Sequence, residues 1–273
     1  MKQHFAGLAL LLLLVSPILV SPILAEDKKS ALTSEEIINK HFTAIGGKEA
    51  LTRLKTRIAI GYVKKENETE AKMAIVSEVP NRVSAVFLFP TFDMKFSYDG
   101  SIAIVRPQMP RQYAVFDSKY REIVASGLMY NSISLYNILL QPPDKMRFES
   151  KGIKKLKGRD AYVLEVKRPK GEAMRLYFDA KSFMWVRTDY GKVHLTAEIK
   201  PFTNDPVSRG EDDLTVDFYI ETSDFREVSG LKLPFKFEQV VTTPILRQST
   251  SGTITGTITE YRHNEPIDPK MFQ

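Results

Sequence analysis

Two periods of hydrophobic positions divide the chain. Near the start, Ile37, Ile38, His41, Phe42 and Ile45 share a face at helical spacing. Leu32-Thr33-Ser34-Glu35-Glu36-Ile37 just before it has the form of a capping box. There the Thr33 hydroxyl can accept from the Glu36 amide while the Glu36 carboxylate reaches back to the Thr33 amide. A helix is therefore predicted from Ser34 to Gly46-Gly47, with a second short one over Lys48 to Leu54. After Lys55 the period falls to two. Val83, Ala85, Phe87 and Phe89 form one such run, and Phe92, Met94, Phe96 and Tyr98 another with Asp93, Lys95 and Ser97 opposite. The alternation returns at Tyr162, Leu164 and Val166; at Met174, Leu176 and Phe178; at Leu214, Val216, Phe218 and Ile220; and at Leu231, Leu233, Phe235 and Phe237. Asp99-Gly100, Lys170-Gly171, Tyr190-Gly191 and Ser229-Gly230 read as hairpin turns between runs.

Between Asp117 and Leu140 the spacing is helical again, through Tyr120, Val124, Leu128, Tyr136, Leu139 and Leu140, and Pro142-Pro143 stops it. The predicted order is helix, about five strands, a helical insert, and about six strands. So many strands with one apolar side need a second layer, and the helices are too few to cover a flat sheet on both faces. The expected fold is mainly β with α: a curved antiparallel sheet of about eleven strands forming a half-open barrel, lidded by helices and concave on its apolar side.

The N-terminus adds a compartment. Lys2, the apolar run Phe5 to Val15, two Ser-Pro breaks and Ala25 before Glu26-Asp27 read as a signal peptide over residues 1–25, leaving 26–273 as one domain. The apolar run is short for a membrane span and prolines interrupt it. The chain has no cysteine, which excludes disulfides, thiolate metal sites, a cysteine nucleophile and a lipid-modified N-terminal cysteine. An exported chain without disulfides suits a bacterial periplasm. The net charge of +6 is basic without being extreme, and no nucleic-acid partner is expected.

Catalytic signatures are missing. His41, His194 and His263 have no paired spacing for a metal or a triad, and no phosphate loop, dinucleotide fingerprint or nucleophile elbow occurs. No acid, base and nucleophile can be assembled, so the expectation is a binding protein rather than an enzyme, without cofactor or metal. His41 reads as helix packing. Glu211-Asp212-Asp213 reads as a solvated loop, and the basic stretch Lys151 to Arg159 as a solvated strand edge and turn. The aromatic density is unusual, with Phe87, Phe89, Phe92, Phe96 and Tyr98 within twelve residues. Together with Met94 they make an adaptable apolar lining suited to a flexible chain. Transferring an acyl chain of roughly sixteen carbons out of a bilayer forfeits on the order of 12 kcal/mol unless a cavity replaces the lipid. At about 25 cal/mol per Å², that requires roughly 500 Å² of ligand surface to be shielded. A half-open sheet can supply this area, for a carrier or, as the alternative, for a regulatory protein that senses lipid and signals through a partner; an enzyme acting on a lipid-like substrate is the less favoured reading. Leu128, Leu135, Tyr136 and Leu139 on the helical insert are the candidate lid over that lining.

Several segments carry a family resemblance. Ala44-Ile45-Gly46-Gly47-Lys48-Glu49-Ala50-Leu51, Gly158-Arg159-Asp160-Ala161-Tyr162-Val163-Leu164, Arg175-Leu176-Tyr177-Phe178-Asp179, Ser223-Asp224-Phe225-Arg226 with Gly230-Leu231-Lys232-Leu233-Pro234-Phe235, and Asn264-Glu265-Pro266-Ile267-Asp268 occur in order across nearly the whole mature chain. In this order they resemble the LolA/LolB superfamily of bacterial envelope proteins, which includes a lipoprotein carrier and its receptor. The resemblance implies an eleven-stranded half-barrel with helices lidding a cavity for lipid or lipoprotein acyl chains. It implies as partners those acyl chains and an envelope membrane or lipoprotein, in outer-membrane biogenesis. Arg82 and Arg106, each beside apolar strands, are the candidates for the carrier's functional arginine.

Overall fold

The computed structural model describes residues 32–66, 69–90, 93–107, 112–116, 133–142, 144–167, 173–201, 210–245 and 248–273. The segment read as a signal peptide, the Lys170-Gly171 turn, Phe92 and Leu128 lie outside them. Residues 31–273 form one compact unit.

The capping box forms as its sequence requires. Thr33 N donates to Glu36 Oε2 at 2.8 Å, and Glu36 N donates to Thr33 Oγ1 at 3.2 Å. Helix α1 (Ser34–Ala44) starts there, with Ile37, His41 and Phe42 on its buried face. It ends at Gly46, whose φ of 116° and position leave no room for a side chain: a Cβ would sit 2.0 Å from the Gly230 carbonyl oxygen. That close approach lets Lys232 N donate to Ile45 O at 2.9 Å, tying the end of α1 to the sheet. Helix α2 (Lys48–Thr52) follows.

All the strands belong to one antiparallel sheet of thirteen. They are β1 (Thr56–Lys65), β2 (Ala71–Glu78), β3 (Arg82–Leu88), β4 (Asp93–Tyr98), β5 (Ala103–Pro107) and β6 (Gln112–Phe116). After helix α3 (Ile133–Leu140) come β7 (Arg147–Leu156), β8 (Arg159–Lys167), β9 (Met174–Asp179), β10 (Trp185–Pro201), β11 (Gly210–Val228), β12 (Leu231–Ile245) and β13 (Gln248–His263). β1 lies between β2 and β13, so the ends of the strand run meet. The sheet curves until β10 bonds to β11 along one edge and, through Ala197 to Pro201, to β6 on the other. The start of that second edge, Trp185 to Asp189, instead takes β9, which leads to β8 and β7. Among the described residues no strand pairs this edge between Asp189 and Ala197, and the barrel stays half open.

Two sequence readings change. Tyr190-Gly191 is not a hairpin turn: it lies inside β10 as a β-bulge, where the register to β11 shifts between Asp189 and Gly191. Glu211-Asp212-Asp213 is not a loop but the start of β11, paired with Glu198, Ala197 and Thr196. Strand β7 is an outer strand of the sheet, and three lysines of the basic stretch that runs from it into the β7–β8 turn are paired with carboxylates. Lys151 meets Glu149 at 2.8 Å and Glu165 at 3.3 Å, Lys155 meets Asp160 at 2.8 Å, and Lys157 meets Glu221 at 2.6 Å and Glu238 at 3.3 Å. Lys151 and Lys167 hold the Glu149 carboxyl at a pKa of about 2.

Candidate functional site

The inner wall of the half-barrel is built in cross-strand rows. Ala59, Ile75, Ala85 and Phe96 are successive partners across β1 to β4; Gly61, Met73, Phe87 and Met94 form the next row. The Phe87 and Phe96 rings meet edge to face at 5.7 Å. Burial differs around this wall. Toward the helices, Ile75, Val83, Ala85, Leu164, Leu176 and Leu233 are fully buried. Phe89, Met94 and Phe96 of the β3–β4 hairpin and Val241 and Ile254 of the β12–β13 hairpin pack on the same core but are only half-buried, whereas Val63, Ala71 and Met73 beside the β1–β2 turn are fully buried.

The two helices close the other end. His41 of α1 donates from Nδ1 to the Phe183 carbonyl at 2.9 Å and packs among Phe178, Trp185 and Tyr136, with ring centroids 5.1 to 6.2 Å away. Burial pulls its pKa down to about 4, the Phe183 hydrogen bond opposing that shift. The packing role expected for His41 is what the structure contains. Beside it lies a residue that the periodicity did not single out. Arg57, at the first inward position of β1, is only 1% exposed. Its guanidinium lies 5.4 Å from the Tyr136 ring of α3 and 5.8 Å from the Tyr261 ring of β13, and Tyr136 hydrogen-bonds it. Burial lowers its pKa and raises that of Tyr136. The signal was present: a charged residue opens the otherwise small and apolar inward series Arg57, Ala59, Gly61, Val63.

Of the lining residues expected from sequence, Phe87, Phe89, Met94 and Phe96 share the concave face. Tyr98 sits a row lower, opposite Val83, and donates from its hydroxyl to Gly100 O at 3.0 Å. Tyr136 and Leu139 of the expected lid are buried against the core. Leu135 lies on α3, its side chain outside the described set. Arg82 does not enter the hollow: it pairs with Glu78 at 2.6 Å and covers the Phe272 ring at 5.1 Å. Phe272 belongs to the 3-10 turn Pro269–Phe272, which packs on β3 and β4. The Arg106 side chain is outside the described set. A separate cleft of about 290 Å³ lies between α1, Leu139 and the start of β7, floored by Ile38, Phe42, Met146 and Phe148 and rimmed by Glu35, Lys48 and Arg147.

Among the described residues no group of three or more histidines or carboxylates could hold a metal ion, and no helix is long and apolar enough to cross a membrane. No protein-family model matches the sequence, nor does any curated protein. Among solved structures, a LolA superfamily protein from Nitrosomonas europaea matches 89% of this chain and 98% of its own, at 11% identity and a TM-score of 0.50.

The fold is LolA-like.

A match to the Pseudomonas aeruginosa MucA/MucB complex covers 84% of this chain and 99% of that one at 10% identity. Its TM-score of 0.21 makes it too dissimilar in shape to inform the site.

Proposed function

We propose that this protein is an exported, periplasmic carrier that holds an acyl chain of a lipid or lipoprotein inside the half-barrel. In this reading residues 1–25 are a signal peptide and 26–273 the working domain. Phe87, Phe89, Phe92, Met94 and Phe96 line the chain-binding hollow, Tyr98 supports it, and the segment bearing Leu128, Leu135, Tyr136 and Leu139 is the lid. The observation that carries the reading is the set of inward apolar side chains, Phe89, Met94, Phe96, Val241 and Ile254, that are only half-buried. Apolar side chains that face inward and are still half-exposed leave a greasy surface open to an occupant. An acyl chain fits because Phe and Met surfaces adapt to a flexible hydrocarbon. A covalent mechanism is not needed, since the wall offers shape and apolar area rather than nucleophiles.

The test is native mass spectrometry of gently purified mature protein, followed by titration of the delipidated form with a pyrene-labelled fatty ester. Co-purifying lipid and saturable binding are expected, with Phe96→Asp abolishing both while circular dichroism stays unchanged. Protein that carries no lipid and binds no apolar probe overturns the reading.

A further inference from the structure

The cleft beside α1 has no part in the proposed carrier hollow. Its shape follows from helical spacing. Ser34, Ile38 and Phe42 stand four residues apart and share one stripe of α1, about 12 Å long at about 1.5 Å per residue. Met146, just before β7, and Phe148 within it line the opposite wall. Phe42 and Met146 are buried while Ile38 and Phe148 are half-buried, so the floor is apolar and still reachable. The volume of about 290 Å³ lies at the lower edge of ligand pockets. It equals roughly ten water molecules at about 30 Å³ each. With a methylene taken as about one water, a body of roughly eight carbons fits and a sixteen-carbon chain does not.

The rim is charged and asymmetric. Lys48 stands over the Phe42 end, its Nζ 5.3 Å from the ring centroid. Arg147 rises from the opposite wall, its Nη1 donating to the Met146 carbonyl at 2.9 Å. Both are exposed, and among the described residues neither has a carboxylate within ion-pair distance. The lysines and arginine of the nearby sheet differ, since Lys151, Lys155, Lys157 and Arg187 are each matched with an acid. Glu35, in the first turn of α1, sits at the far end of the stripe from Phe42 and has no cation partner either. Two cations over an apolar floor favour an anionic head, and a lone carboxylate at the other end disfavours a second one.

We propose that this cleft is a second ligand site, separate from the hollow, for a small carboxylate with one charged head and an apolar body of about eight carbons. The body lies on Ile38, Phe42, Met146 and Phe148. The carboxylate accepts from Lys48 and Arg147, and the tail runs toward Glu35, so a dicarboxylate of the same length is rejected.

Octanoate, octanol and the eight-carbon dicarboxylate suberate are each titrated into the protein, with binding read at the carbon-13-labelled methyl of Met146 in the cleft floor. Octanoate is expected to shift that resonance saturably and to bind about fivefold tighter than octanol, as two exposed ion pairs give. Suberate should bind more weakly than octanoate. The double variant Lys48→Gln, Arg147→Gln should bring octanoate down to the affinity of octanol, and Glu35→Gln should narrow the gap between suberate and octanoate. All three side chains are exposed, so these variants keep the fold. Phe96→Asp, placed in the hollow, should leave the octanoate affinity unchanged, and the double variant should bind the pyrene-labelled ester as the wild type does. Octanoate no tighter than octanol, an affinity blind to the Lys48 and Arg147 substitutions, a Met146 methyl that does not move, or binding lost with Phe96→Asp overturns the inference and leaves the carrier reading standing. Failure of the ester to bind, with octanoate binding intact, overturns the carrier reading and not this site.

Discussion

Arg57 holds two elements together by a charge kept out of water. Its guanidinium lies between the Tyr136 ring of α3 and the Tyr261 ring of β13, and a desolvated cation over an aromatic face is worth about 2 kcal/mol. Replacing a buried charge by an apolar side chain of similar length is often close to neutral for global stability. Arg57→Met is therefore expected to unfold at nearly the wild-type urea midpoint. The same variant should raise amide hydrogen exchange across 133–140 by about tenfold or more, because α3 loses its fastening. Unchanged exchange there would mean that Arg57 does not hold the helix. Single residues of this kind were the least legible part of the sequence. Phe87, Met94 and Phe96 advertise themselves by alternation, whereas Arg57 looks like an ordinary polar residue until the register puts it on the inner face. Arg82, picked for its apolar surroundings, turned outward because Glu78 lies on the neighbouring strand directly opposite it.

Elements whose signals lie within a few residues were readable. The Thr33–Glu36 box, the stop at Gly46-Gly47 and the alternation of β3, β4, β8, β9 and β12 each depend on local spacing, and each appears in the structure as read. Long-range pairing was not readable. The bulge at Tyr190-Gly191 looks like a turn in one dimension, since glycine serves both. Only the partner strand β11, continuing through it, tells them apart. β13 is rich in Thr, Ser and Gly and has no strong apolar alternation, yet pairing on both sides holds it as a strand. The two glycines after α1 allow a direct test of what positions that helix. Gly46 meets the Gly230 carbonyl, while at Gly47 a Cβ would meet nothing within 4 Å although φ is 98°. Gly47→Ala should cost about 1–3 kcal/mol of backbone strain. Gly46→Ala adds a clash with a fixed backbone oxygen to the same strain, and should cost clearly more. Urea denaturation of the two variants orders them, and equal losses would mean that the α1–β12 junction can give way.

At the scale of the whole molecule, the closed end of the barrel couples stability to pH. His41 is fully buried with its Nδ1 proton on Phe183 O, and burial pulls its pKa down to about 4. His263, at the last residue of β13 and paired in register with Arg57, is also brought to about 4, first by burial and then by the arginine's charge. In the unfolded chain both return to about 6.5. Between those values the unfolded state binds more protons than the folded one, so stability is complete above about pH 6.5 and falls as pH drops toward 4. Each histidine contributes a slope of about 1.4 kcal/mol per pH unit, and fully buried His41 accounts for about 3 kcal/mol over the window. The carboxylates held low by hydrogen bonds, Glu149 at about 2 among them, begin to lose their contribution only below about pH 5, so the histidines account for the fall between pH 6.5 and 5. Urea unfolding at pH 7.5, 5.5 and 4.5 should trace the loss, and His263→Gln should reduce its slope by roughly half. A stability that is flat across these pH values would mean that water reaches both rings and that the helices do not seal this end of the barrel.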